Sequence, residues 1–85
     1  GHASEAEQLM TMVVDSFQRT LGPGHGSTIS SRRTLAKALR LLNRKAESEQ
    51  QLRKALDDSR SVPNTSERLV REIENDIKEL ANEKQ

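Results

Sequence analysis

Hydrophobic residues recur along this chain at spacings of three and four, which is the period of an amphipathic helix. The pattern occurs in four segments that Gly, Pro, Asn and Ser residues separate. It predicts helices over residues 4–20, 28–43, 46–60 and 66–82. The apolar positions that define them are Leu9, Met10, Val13, Val14, Phe17 and Leu21; Ile29, Leu35, Leu39 and Leu42; Ala46, Leu52, Ala55 and Leu56; and Leu69, Val70, Ile73, Ile77 and Leu80.

Polar side chains are predicted to start three of these helices. Ser4-x-x-Glu7 matches a capping box at the start of the first helix. Ser27 or Thr28 offers a hydroxyl cap for the second helix. The segment 62–67 contains the signals for the end of the third helix, for a turn and for the N-cap of the fourth helix.

The helix ends are predicted from glycine, proline and asparagine. The segment 22–26, Gly-Pro-Gly-His-Gly, breaks regular structure after the first helix. Asn43 tolerates the left-handed conformation that ends helices, so the second helix is expected to stop there. Because so few residues then separate it from the third helix, the two are expected to form an antiparallel hairpin.

Composition supports an all-α fold of antiparallel helical hairpins. Hydrophobic residues make up 32% of the 85 residues and charged residues another 32%, with one Phe and no Trp or Tyr, which leaves few strand formers. A chain of this length forms one domain at most, and without cysteine it has no disulfide to stabilise a small core. Residues 1–3 resemble an expression-vector remnant, so a single domain is expected over residues 4–85.

The candidate chemistry excludes the common classes of enzyme. His25 is the sole histidine outside residues 1–3 and is interpreted as a turn residue, with a metal or acid–base role as the alternative. The glycines of segment 22–26 lack the Gly-Lys-Ser/Thr ending of a phosphate-binding loop and follow a helix instead of a strand. We therefore expect no catalytic site, metal or cofactor. The absence of a long apolar run or a signal peptide predicts a soluble, cytoplasmic protein without membrane contact.

The sequences of the first and third helices resemble each other, which indicates an internal repeat. Residues 5–8, Glu-Ala-Glu-Gln, return 42 residues later as Glu-Ser-Glu-Gln at 47–50. The stretch from segment 21–25 (Leu-Gly-Pro-Gly-His) through Leu35-Ala36 and Leu39 to Ala55-Leu56 resembles the kinesin-light-chain-like tetratricopeptide repeats, over roughly residues 5–62. Gly26, Asn43 and Ser48 depart from the proline, glycine and alanine of that pattern.

The resemblance implies a fragment of about one and a half repeats of an α-solenoid, followed by a capping helix. Small residues at Ala36 and Ser48 are expected to let the second and third helices approach closely, with Leu35 and Leu52 filling the space beside them. The first helix occupies the second-helix slot of a repeat, so the chain is expected to begin in mid-repeat. Glu74 stands where Ala36 would recur, so no further helix can pack there in the same way. The fourth helix is therefore expected to close the end of the solenoid.

Charge is strongly segregated, although the formal net charge is only +1. Residues 16–46 carry seven basic residues and no acidic one, while residues 47–85 carry ten acidic and seven basic residues. Arg33, Lys37 and Arg40, spaced by four and three, share one face of the second helix.

In tetratricopeptide repeats the first helix of each pair lines a concave groove, and these three residues resemble its ligand-facing positions. They predict binding of a protein partner through an acidic peptide or a C-terminal carboxylate. A solvated helix face is the plain alternative. Nucleic-acid binding is a further one, which the lack of aromatic residues disfavours.

Self-association is the other predicted interaction. The apolar stripe of the first helix needs cover on more than one side, and the preceding helix of a solenoid would supply it. We expect a homodimer of the isolated chain that forms through Leu9, Val13, Val14 and Phe17. The fourth helix has a coiled-coil-like seam, which either packs on the second and third helices or provides a further self-association surface.

Overall fold

The computed structural model describes residues 2–83, which form four α-helices. These are α1 (His2–Thr20), α2 (Gly26–Leu41), α3 (Lys45–Arg60) and α4 (Glu67–Ala81). Consecutive helices pack side by side, α1 on α2, α2 on α3 and α3 on α4, and no strand occurs in residues 2–83. The predicted all-α fold is therefore confirmed. Residue 1 of the predicted vector remnant and residues 84 and 85 of the predicted domain lie outside the described range.

The start of α1 differs from the prediction. The helix begins at His2 and already contains Ser4, so the predicted capping box is wrong. A capping residue must have non-helical backbone dihedrals, whereas Ser4 follows two helical residues. Ala3, which was placed outside the predicted domain, is half-buried in this helix.

The cap of α2 is also a different residue from the two predicted. His25 has an extended backbone (φ −67°, ψ 141°), and its Nδ1 accepts a hydrogen bond from the backbone N–H of Ser27 at 3.1 Å. Thr28 is buried within the helix, and its hydroxyl donates to the carbonyl oxygen of Gly22 at 2.8 Å. The helix therefore begins at Gly26, two residues earlier than predicted, because an imidazole takes the capping role.

Asn43 ends the second helix as predicted, although α2 itself stops at Leu41, two residues before the predicted bound. Asn43 has φ +62°, the left-handed conformation, which among the residues described here only it and Gly22 adopt. The N–H of Arg44 donates to the carbonyl of Leu39 at 2.9 Å, and the N–H of Asn43 donates to that of Arg40 at 3.0 Å. This pair of bonds is a Schellman motif. It satisfies the last carbonyls of α2 and turns the chain directly into α3.

The core lies in two layers on either side of α2. One cluster lies between α1 and α2, and two further clusters join α2, α3 and α4. The first cluster contains Val14, Leu35 and Leu39 with Met10 against them; the others contain Ile29, Ala55 and Ile73, and Ala36, Leu52 and Leu80, with Leu56, Leu69 and Ile77 packed against them.

A close approach between α2 and α3 confirms the prediction made from small residues. Ala36 and Ser48 are both buried, and the hydroxyl of Ser48 donates to the carbonyl oxygen of Ala36 at 2.7 Å. Leu35 and Leu52 are buried beside them. The hydrogen bond satisfies the buried hydroxyl, so serine is accommodated where alanine is usual.

Candidate interaction surfaces

The structure brings the three predicted partner-binding residues together. Arg33, Lys37 and Arg40 line one small cavity between α2, α3 and α4, with a volume of about 30 Å³. A cavity of that size has room for about one or two water molecules and is too small for a peptide side chain. The remaining lining residues are Ala36, Ser48, Leu52, Asp76 and Leu80.

Arg33 already has carboxylate partners within the chain. Its Nε lies 2.7 Å from Oδ2 of Asp76, and its Nη1 lies 3.1 Å from Oε1 of Glu72. The hydrogen bond to Asp76 raises the pKa of Arg33, while partial burial opposes that effect. The guanidinium of Arg33 is therefore charged and is paired with two carboxylates of α4. It is not an unpaired cation that is free to bind a ligand.

Arg40 and Lys45 share a third carboxylate. Nε of Arg40 donates to Oε1 of Glu83, and Nζ of Lys45 lies 3.4 Å from Oε2 of the same residue. Lys37 is exposed, and within residues 2–83 it forms no ion pair. It thus differs from its two neighbours on the basic face.

An open groove of about 710 Å³ runs along the end of α2. Sequence reasoning missed Leu41 here, which is 77% exposed although it is apolar. The periodic pattern of α2 gave no signal for it, because Leu41 falls outside the stripe that faces the core. The groove is lined by Lys37, Arg40, Leu41, Asn43, Lys45 and Glu83.

Arg32, next to Arg33 in the chain, is a buried residue. Its side chain donates from Nη1 to Gln51 Oε1 at 2.8 Å and from Nη2 to Gln18 Oε1, so it links α1, α2 and α3. Burial lowers the pKa of Arg32, and the negative charge of Asp58 opposes that shift. This member of the basic run is therefore structural and does not contribute to an open surface.

Arg44 belongs to a separate cluster at the start of α3. It pairs with both carboxylate oxygens of Glu47, at 2.8 Å from Nε and 2.6 Å from Nη2, and with Glu7 at 3.3 Å. The hydrogen bonds from Arg44 lower the pKa of Glu47. The pairing with Glu7 ties α1 to the turn between α2 and α3.

The four residues predicted for self-association occupy different environments. Val14 is only 6% exposed and belongs to the core, so it is not available to a second copy. Val13 and Phe17 are half-buried, and Leu9 is 60% exposed. Met12 was missed because it lies off the main apolar stripe, yet it is 69% exposed. Leu9 and Met12, three apart, therefore form the exposed apolar flank of α1.

The seam of α4 packs within the molecule. Ile73 and Leu80 are buried in the two clusters shared with α2 and α3, and Ile77 packs against both clusters. The structure thus favours the intramolecular interpretation of this seam over a self-association surface. Glu74 is exposed and pairs with Arg60 at 2.5 Å.

The described residues show no arrangement for metal binding. No group of three or more His, Asp or Glu side chains lies close enough to hold a metal ion in the range 2–83. None of the four helices is both long enough and apolar enough to span a bilayer.

Comparison with known proteins gave one match. A family model described as a tetratricopeptide repeat matches residues 2–61, which include α1, α2 and α3 and more than half of the chain. No curated protein and no solved structure matched the chain.

Proposed function

Because this chain belongs to the tetratricopeptide repeat family, we propose that it works by holding a partner protein and catalyses no reaction. Repeats of this family are non-enzymatic scaffolds and generally mediate protein–protein interaction. The kinesin-light-chain-like subtype and a cytoplasmic location stay predictions from the sequence.

The partner surface that we propose is the open groove at the end of α2, and its occupant is an acidic peptide segment. The observation that carries the proposal is Lys37, a cation that is exposed and has no ion-pair partner within the described chain. Three cations and one carboxylate line this groove, which favours an anionic ligand. The cations are Lys37, Arg40 and Lys45, and the carboxylate is Glu83.

Charge reversal of Lys37 tests the groove. We expect Lys37→Glu to weaken binding of a fluorescent hexaglutamate peptide by about tenfold at about 0.1 M salt, where charges within about 10 Å still interact. Lys78→Glu is the matched control. Lys78 is exposed on α4, so its substitution makes the same change of charge on another surface. Fluorescence anisotropy measures both affinities, and circular dichroism checks that both variants stay helical.

Two results would contradict the proposed groove. One is the absence of hexaglutamate binding to the parent chain at low salt. The other is an equal loss of affinity in the Lys37 and Lys78 variants, since that loss would come from net charge alone.

A second candidate function is self-association through α1. It is supported by the exposed apolar flank of Leu9 and Met12, because an apolar flank of this kind is a common feature of interaction surfaces. The outer side of α4 carries Arg68, Arg71, Glu74 and Lys78 and does not offer a complementary apolar surface. The partner that we propose is therefore α1 of a second copy, in a two-fold arrangement.

A further inference from the structure

Two carboxylates of α4 face the basic side of α2. Glu72 and Asp76 are four residues apart, so they lie on the same side of α4. Both contact one guanidinium, because Oε1 of Glu72 is 3.1 Å from Nη1 of Arg33 and Oδ2 of Asp76 is 2.7 Å from its Nε. Two acids on one helix thus bind a cation that lies beside the proposed partner groove, because Lys37 and Arg40 line both the groove and the small cavity that contains Arg33.

The core holds these acids in place. Ile73, between them in sequence, is fully buried, and Leu80 is buried one turn beyond Asp76. Because these side chains fix the backbone of α4, Glu72 and Asp76 cannot move away from α2 as a loop would. The side chains of Arg33 and Asp76 are only 20% and 22% exposed, so solvent screens their attraction less than that of a fully exposed pair.

An acidic partner competes with these two acids for the positive charge of Arg33. A carboxylate that binds the basic face of α2 is stabilised by the N–H groups of guanidinium side chains. At Arg33 the Nε and Nη1 donors are already bonded to Asp76 and Glu72. A partner carboxylate that approaches Arg33 must replace one of these acids, or bind the remaining N–H groups against the repulsion of both.

We propose that Glu72 and Asp76 are specificity-determining residues that act as internal competitors for the basic face of α2. This inference rests on the proposed acidic partner. The two carboxylates neutralise Arg33 and repel other anions, so acidic segments without further complementarity are rejected. A carboxylate of a true partner replaces Glu72 or Asp76 as the ion-pair partner of Arg33, while α4 stays packed on α3.

Amide substitution tests the inference directly. Glu72→Gln combined with Asp76→Asn keeps the shape of both side chains and removes both charges. We expect this double variant to bind hexaglutamate about tenfold more tightly than the parent chain at about 0.1 M salt. Adding Arg33→Gln should abolish the gain, because the released guanidinium is its source.

A matched control separates this local effect from net charge. Glu49→Gln combined with Glu67→Gln also removes two carboxylates, which pair within their own helices with Arg53 and Arg71. We expect this control to bind hexaglutamate with less than about twofold change. A gain in the control equal to that of the amide variant would overturn the inference.

A second readout distinguishes competition from a purely structural role. In nitrogen-edited NMR spectra the Nε–H signal of Arg33 should shift in the amide variant and shift again when hexaglutamate is added. Loss of α4 packing without tighter peptide binding would overturn the inference and leave these acids as structural ion pairs.

The outcomes separate this inference from the proposed function. If the parent chain binds hexaglutamate through Lys37 and the amide variant binds no more tightly, the proposed function stands and the internal competition is wrong. If neither the parent chain nor the amide variant binds, both the acidic partner and the competition are wrong.

Discussion

At the residue scale, the start of α2 depends on one imidazole. His25 accepts the N–H of Ser27 at its Nδ1, which satisfies one of the backbone donors that a helix leaves free at its first turn. We expect His25→Ala to lower the free energy of unfolding by about 0.5–2 kcal/mol, the usual cost of losing a helix cap. Chemical denaturation followed by circular dichroism measures the change.

The control for this cap is His25→Asn. Asparagine is a strong capping residue whose side-chain oxygen accepts from the same region of the backbone, so this variant should keep most of the stability. If alanine and asparagine destabilise the protein equally, the hydrogen bond at Nδ1 does not account for the role of His25.

At the scale of elements, α4 is attached by its buried side chains more than by its ion pairs. Ile73 is fully buried against Ile29 of α2 and Ala55 of α3. We expect Ile73→Ala to cost about 2–5 kcal/mol, because it removes buried methyl groups and leaves a cavity. In a domain whose total stability is of order 5–15 kcal/mol, that loss is large.

Val70→Ala is the matched control for Ile73→Ala. Val70 lies one turn earlier on the same helix but is only half-buried and outside the three core clusters. Its replacement should cost clearly less in the same urea titration. Equal losses at the two positions would show that α4 is held by something other than the packing of Ile73.

At the scale of the whole molecule, the exposed flank of α1 predicts a dimer. The chain has a mass of 9.5 kDa and a Cα radius of gyration of 12.4 Å. We expect light scattering coupled to size-exclusion chromatography to give about twice that mass at micromolar concentration, and Met12→Glu to restore the monomer by placing a charge on the flank. A mass of 9.5 kDa at every concentration would contradict the dimer.

One further variant identifies the surface of such a dimer. Leu41→Glu places the same charge at an exposed apolar residue of α2, so the dimer should persist if α1 forms the interface. Val14→Glu is unsuitable, since Val14 is part of the core and its replacement would disturb the fold of the monomer itself. Dissociation by Leu41→Glu but not by Met12→Glu would move the interface to α2.

The sequence by itself determined the features that depend on near neighbours along the chain. The spacing of Leu35 and Leu39 predicted a helix and placed both residues in its core, because residues three and four apart share a helix face. Asn43 predicted the end of α2, because its tolerance of positive φ is a property of the residue alone. The resemblance to the repeat family, together with the small side chains of Ala36 and Ser48, identified the close approach of α2 and α3.

Only the tertiary structure decided which charges are free. Arg32, Arg33 and Lys37 look alike in the sequence, yet one is buried between three helices, one is paired with α4 and one is exposed. The acid that neutralises Arg33 lies 43 residues further along the chain. A local pattern cannot identify such a partner, because the pairing depends on how α2 and α4 are brought together by the core.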